Sequence, residues 1–171
     1  MKRLFVYVIA ILSVYVSPLS ADETIGVVLM HGKAGTSSPS SPTGVLSEHL
    51  EGSGLLVVAP DMPWSEERVL DQSYEDAMQE IDTIVQGLRD KGATRIVVGG
   101  HSMGATTARL KSGTPLLWNI GGRDRMFDRS EDYAFSRAPA HTSNAYVVVK
   151  GGHRVTPKKG KDEILEWINN L

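Results

Sequence analysis

The chain holds one serine placed where a nucleophile would have to be. Gly100-His-Ser-Met-Gly104 directly follows the apolar run Arg95-Ile-Val-Val-Gly99 and precedes a helical pattern. A bare G-x-S-x-G arises often by chance in glycine-rich turns. Its mechanical meaning comes from a strand before it and a helix after it. The turn holds the serine in strained backbone and lifts its hydroxyl above the sheet, and Gly100 and Gly104 remove side chains that would collide. The helix N-terminus then aims N–H groups at negative charge developing there. Ser102 is the candidate nucleophile for acyl transfer.

A serine hydroxyl needs a base and a group that orients the base. Of the five histidines, His153 follows the apolar run 145–149 in the loop Gly151-Gly-His-Arg. That places it at the carboxyl edge of a parallel sheet, where ligands bind in open α/β folds. His141, in a Pro/Ala/Ser loop, is the reserve base. His31 and His101 read as residues that hold loops in place, and His49 as a surface residue of a helix. The acid should also follow a strand. The run 116–120 leads into Gly121-Gly-Arg-Asp124, so Asp124 is the first candidate, with Asp128 and Asp132 as neighbouring alternatives. Aspartates in such loops are also common turn formers. An oxyanion would need two backbone N–H donors. Met103 supplies one directly after the serine, and Lys33 the other, from His31-Gly-Lys33 after the first strand. Only the Lys33 N–H is implicated, since its side chain reads as a solvated cation.

The elements that must position these groups are legible in the pattern. Five short runs rich in Val, Ile and Leu, at 25–30, 55–59, 95–98, 116–120 and 145–149, are continuous rather than alternating. Such runs suit parallel strands covered on both faces. Between them, Ala77, Ile81, Ile84, Val85 and Leu88 recur at helical spacing, with Ser73 as cap and Gly92 as terminator. Shorter helices are expected at 45–50, closed by Gly52, and at 103–111. A weaker one is expected at 130–137, and Ile164, Leu165, Ile168 and Leu171 mark the last. Residues 35–44 read as a polar loop. Strands alternating with helices imply βαβ units.

With 171 residues, 41% hydrophobic and 22% charged, the chain is of ordinary globular composition, which argues against disorder, collagen and coiled coil. A formal charge of −2 gives no basic excess for nucleic acid or an anionic membrane. No cysteine is present, so disulfides, thiolate chemistry and Cys-ligated zinc are excluded. Gly32-Lys33 is no phosphate loop, because Ala34 stands where Ser or Thr is needed. No His/Asp/Glu spacing suggests a metal, and neither metal nor cofactor is expected. Lys2 and Arg3, an apolar stretch over 4–16 and a small-residue segment ending at Ala21 have the order of a secretory signal peptide. The stretch is shorter than the roughly 20 residues of a membrane span. Cleavage after Ala21 would leave a single domain over 22–171 with 16 basic and 20 acidic residues, and no stable membrane anchor. The expected location is periplasmic or secreted.

Taken together, Val27-Val-Leu-Met-His-Gly, Ala59-Pro-Asp-Met-Pro, Gly100-His-Ser-Met-Gly, Ile120-Gly-Gly-Arg-Asp and Gly151-Gly-His resemble the α/β-hydrolase superfamily. The order Ser102, Asp124, His153 is that family's chain order. The resemblance implies a three-layer, doubly wound, mainly parallel sheet and serine chemistry on esters, thioesters or amides through an acyl-enzyme. The partner would be a small acyl substrate. One departure stands out. Family members carry a further strand, often with a cap, between the nucleophile helix and the acid-bearing strand, whereas residues 103–112 here run almost straight into Pro115-Leu-Leu-Trp. The expectation is a minimal five-stranded α/β-hydrolase with strand order 2-1-3-4-5. Its site should be open, with His31, Met62, Trp64 and Trp118 as pocket candidates. Core or surface packing is the competing reading of Met62, Trp64 and Trp118. The rival to a carboxylesterase is a catalytically silent binding or structural protein, made so by the missing segment.

Overall fold

The computed structural model describes residues 23–104 and 115–171. The expected export segment, and residues 105–111 of the helix expected after Ser102, lie outside the described residues. Strand β1 (Ile25–Met30) lies between β2 (Leu56–Val58) and β3 (Arg95–Gly100), parallel to both, in the order 2-1-3. Strand β4 (Leu117–Gly121) pairs in parallel with β5 (Ala145–Val149).

The pleat of β1 builds the layers. Val28 and Met30 face one way and pack with Met62, Trp64, Ala77, Ile81 and Leu88, the last three from α2 (Tyr74–Asp90). Val27 and Leu29 face the other way and pack with Leu46 and Leu50 of α1 (Pro42–Gly52) and Ile168 of α5 (Lys161–Asn169). Both faces of the strand are covered, which is why its sequence is continuously apolar.

Helix α2 begins as expected. The Ser73 side chain accepts the Asp76 N–H, and the Asp76 carboxylate accepts the Ser73 N–H, so two orphan donors are satisfied reciprocally. Helix α1 starts three residues before the expected position. Ser41 accepts the Gly44 N–H and Pro42 occupies the first turn, where its missing N–H costs nothing. Residues 42–44 therefore leave the expected polar loop. The weak helix expected at 130–137 instead begins at α3 (Phe127–Ser130) and continues as a π-helical turn, Glu131–Phe135.

The single five-stranded sheet expected from the sequence is divided. Strands β3 and β4 share no ladder, so the orders 2-1-3 and 4-5 hold within two separate parts. The segment between them, 101–116, is little longer than the dozen residues a parallel crossover needs, and it begins with the turn at Ser102. Helices join the parts instead. Helix α5 sends Ile168 into the β1 core, while α4 (Thr156–Lys159) packs against α1.

Candidate active site

Ser102 closes β3 with φ of 54°, in the left-handed region, and the next helix begins at Met103. A non-glycine residue there is strained and persists only where its surroundings over-determine it. Here the surroundings are the end of β1: the His101 N–H donates to the Met30 carbonyl at 2.9 Å, and the Gly104 N–H to the His101 carbonyl at 3.0 Å. A Cβ on Gly104 would lie 2.8 Å from both Cβ and the carbonyl oxygen of Met30, and 2.9 Å from the His31 oxygen. Gly104 therefore lets the elbow seat on β1. The glycine against the serine itself is Gly32, whose added Cβ would lie 3.0 Å from the Ser102 Cβ. Because the obstacles to a Gly104 side chain are backbone and Cβ atoms, Gly104→Ala should lower stability by about 1–3 kcal/mol. Urea unfolding measures the loss; unchanged stability would show that the elbow does not need this contact.

Gly32, the residue before Lys33, lies against Ser102, and Met103 follows the serine directly in sequence. Among the described residues neither N–H donates a backbone–backbone hydrogen bond outside the regular helices and strands. The Lys33 side chain is exposed.

Asp124 and His153 meet across the two loops that leave β4 and β5. The His153 Nδ1–H donates to Asp124 Oδ2 at 2.7 Å, and Asp124 Oδ1 accepts the Met126 N–H at 2.9 Å. The carboxylate side chain is 5% exposed and the imidazole 46%. The loops are zipped together past the strand ends. The Gly122 N–H reaches the Val149 carbonyl at 2.9 Å, and the Arg123 N–H the Gly151 carbonyl at 2.8 Å. A side chain on Gly121 would strike the Gly151 carbonyl oxygen at 2.6 Å. Burial pushes the Asp124 carboxyl upward, but the Met126 N–H, the His153 hydrogen bond and charge, and Arg125 outweigh it. The net effect holds it below its ordinary 3.8. It is ionised at neutral pH, which fixes the His153 proton on Nδ1 and leaves Nε2 with its lone pair.

The alternatives lie elsewhere. Asp128 and Asp132 are exposed. His141 accepts the Ser143 N–H in its own turn, and His49 faces Asp162 at 3.2 Å. His31, Met62 and Trp64 are not pocket walls. They are 2%, 0% and 3% exposed and form the wedge under the loop after β1. The His31 Nδ1–H donates to the Gly32 carbonyl at 2.8 Å, its Nε2 accepts the Met62 N–H at 3.0 Å, and the Trp64 Nε1–H donates to the His31 carbonyl at 2.8 Å. That network sets the path of Gly32 and Lys33. Trp118 lies half-buried on β4, paired with Tyr146 in register.

Two partners of the pair are not specified by the sequence, although His101 reads there as a residue that holds a loop in place. One is the Met126 N–H on Asp124, foreshadowed only by the tendency of aspartate to bind backbone two residues on. The other is His101. Its Nε2–H donates to the His153 carbonyl at 2.8 Å, with the two rings 4.8 Å apart and tilted by 43°. Burial lowers the His101 imidazole below its ordinary 6.5, against the raising effect of that hydrogen bond.

A parallel α/β core with a strained serine at one strand end, and an Asp–His pair beyond two others, defines an α/β-hydrolase-type protein. The alpha/beta hydrolase family matches residues 27–150, and the chain belongs to that family. A member of the alpha/beta superfamily of hydrolases from Xanthomonas campestris pv. campestris shares the fold. It is 19% identical, with a TM-score of 0.58, over 85% of this chain and 99% of that one. No curated protein matches the sequence.

Proposed function

We propose that the protein is a serine hydrolase that cleaves carboxylic esters, and by the same chemistry thioesters or amides, through an acyl-enzyme. The observation that carries the reading is the 2.7 Å hydrogen bond between His153 Nδ1 and the buried Asp124. It leaves Nε2 as the basic nitrogen. Ser102 Oγ attacks the acyl carbonyl as Nε2 takes its proton, and the Lys33 and Met103 N–H groups receive the oxyanion. The imidazolium, stabilised by Asp124, returns the proton to the departing alcohol. Water then repeats the sequence on the acyl-serine and releases the acid.

Residues 1–21 are proposed to direct export and 22–171 to form the single working domain, so the substrate would be met in the periplasm or outside the cell. The division between β3 and β4 favours the rival reading of a silent scaffold, since no ladder joins the strand that leads to the serine to those that lead to the Asp–His pair. A fluorophosphonate ester separates the two. It should phosphonylate Ser102 and no other serine, as read by mass mapping of the adduct. An unlabelled Ser102 in folded protein would establish the scaffold.

A further inference from the structure

The divided sheet poses a registration problem. Ser102 is carried by β3, whereas Asp124 and His153 are carried by β4 and β5, and no ladder links the two parts. A base must reach the serine hydroxyl within about 2.6–3.2 Å. Apolar packing between helices is non-directional, whereas a hydrogen bond fixes both a distance and an angle.

His101 sits at the junction. Its own N–H is tied to the end of β1 through the Met30 carbonyl, and its Nε2–H reaches across the gap to the His153 carbonyl at 2.8 Å. Its ring also lies against the His153 ring. One residue thus adjoins the nucleophile in sequence and holds the backbone of the base in space. Among the described residues a further polar side-chain contact, His49 to Asp162, joins α1 to α5. We propose that His101 is a positioning residue. Its Nε2–H fixes the His153 loop against the Ser102 elbow and supplies the registration that a continuous sheet would otherwise give. The inference rests on the serine-hydrolase reading for its effect on rate, but not for the anchoring itself.

The test uses two variants. His101→Phe keeps a ring of similar size against His153 and lacks the donor. His101→Gln restores an N–H at a similar reach. With p-nitrophenyl acetate as probe, His101→Phe should lose about 10- to 100-fold in kcat, the scale of a misplacement near 1 Å. KM should be nearly unchanged, and His101→Gln should recover most of the loss. Amide hydrogen exchange across 152–155 should be about 5-fold faster in His101→Phe, as expected for one hydrogen bond, and close to wild type in His101→Gln. Wild-type kcat in His101→Phe, or a loss that His101→Gln shares in full, would overturn the positioning role. Should the wild type itself neither hydrolyse the probe nor react with fluorophosphonate, the serine-hydrolase reading fails. Exchange then decides the anchor alone, and unchanged exchange in His101→Phe overturns it.

Discussion

Ser102→Ala is expected to reduce ester turnover by up to about 10⁶-fold, the scale seen when the nucleophile of a serine protease is removed. The loss should fall on kcat, because the hydroxyl bonds to the substrate only during reaction. A residue of catalysis should remain, since the Lys33 and Met103 N–H groups stay in place to bind an oxyanion. The stability of the variants adds a second reading of the same residue. Ser102 has φ of 54°, a region costing an L-residue roughly 1–2 kcal/mol. Alanine inherits that strain, while glycine does not. Ser102→Gly should therefore unfold at higher urea than Ser102→Ala, even though both lack the nucleophile. Steady-state hydrolysis and urea unfolding of the pair measure both effects. Turnover near wild type in Ser102→Ala would remove the serine from the chemistry.

The elbow was legible because its parts are local. A strand, two glycines, a serine and a helix start lie within ten residues, and each is dictated by backbone sterics rather than by distant packing. The loops carrying Asp124 and His153 were legible for the same reason, as glycine-rich turns after apolar runs. What joins them is not local: the zipper of Gly122 and Arg123 onto Val149 and Gly151 depends on β4 and β5 pairing in one register. The pocket residues failed where composition misleads. Met62, Trp64 and His31 follow strands at the catalytic edge, and position alone suggests walls. Yet a large apolar side chain beside the core gains more by burial than by lining open solvent, and Trp64 could be buried fully because the His31 carbonyl receives its N–H. The shortness of 103–116 was legible, yet the expectation was still one sheet, because the division depends on where α4 and α5 dock, which no local pattern records.

Asp124→Asn is expected to lower turnover by about 10⁴-fold, as the equivalent change does in a serine protease. The reason lies in proton placement. Asp124 presents one oxygen to the Met126 N–H and the other to the His153 Nδ1–H. An amide can keep only one of these acceptors. If its oxygen stays on Met126, its NH₂ faces His153, and the imidazole must turn its lone pair inward and carry its proton on Nε2. That tautomer cannot accept the serine proton, and the imidazolium formed during attack loses its counter-charge. Folding should survive at neutral pH, because size and polarity are retained. The acid limb should change. The Asp124 carboxyl is held below its ordinary 3.8 in the folded state. Its contribution is therefore fully present above that value and is lost as pH falls through the lower, folded one. Stability of the wild type should fall faster than that of Asp124→Asn once pH drops below about 4. Asp128, exposed on the following helix, serves as control, and Asp128→Asn should leave turnover unchanged. Esterase assays with circular dichroism at pH 7, and urea midpoints across the acid range, supply the measurements. Normal turnover in Asp124→Asn with collapse in Asp128→Asn would transfer the role to Asp128. Parallel acid limbs in wild type and Asp124→Asn would show that the buried carboxylate is not held in its charged form.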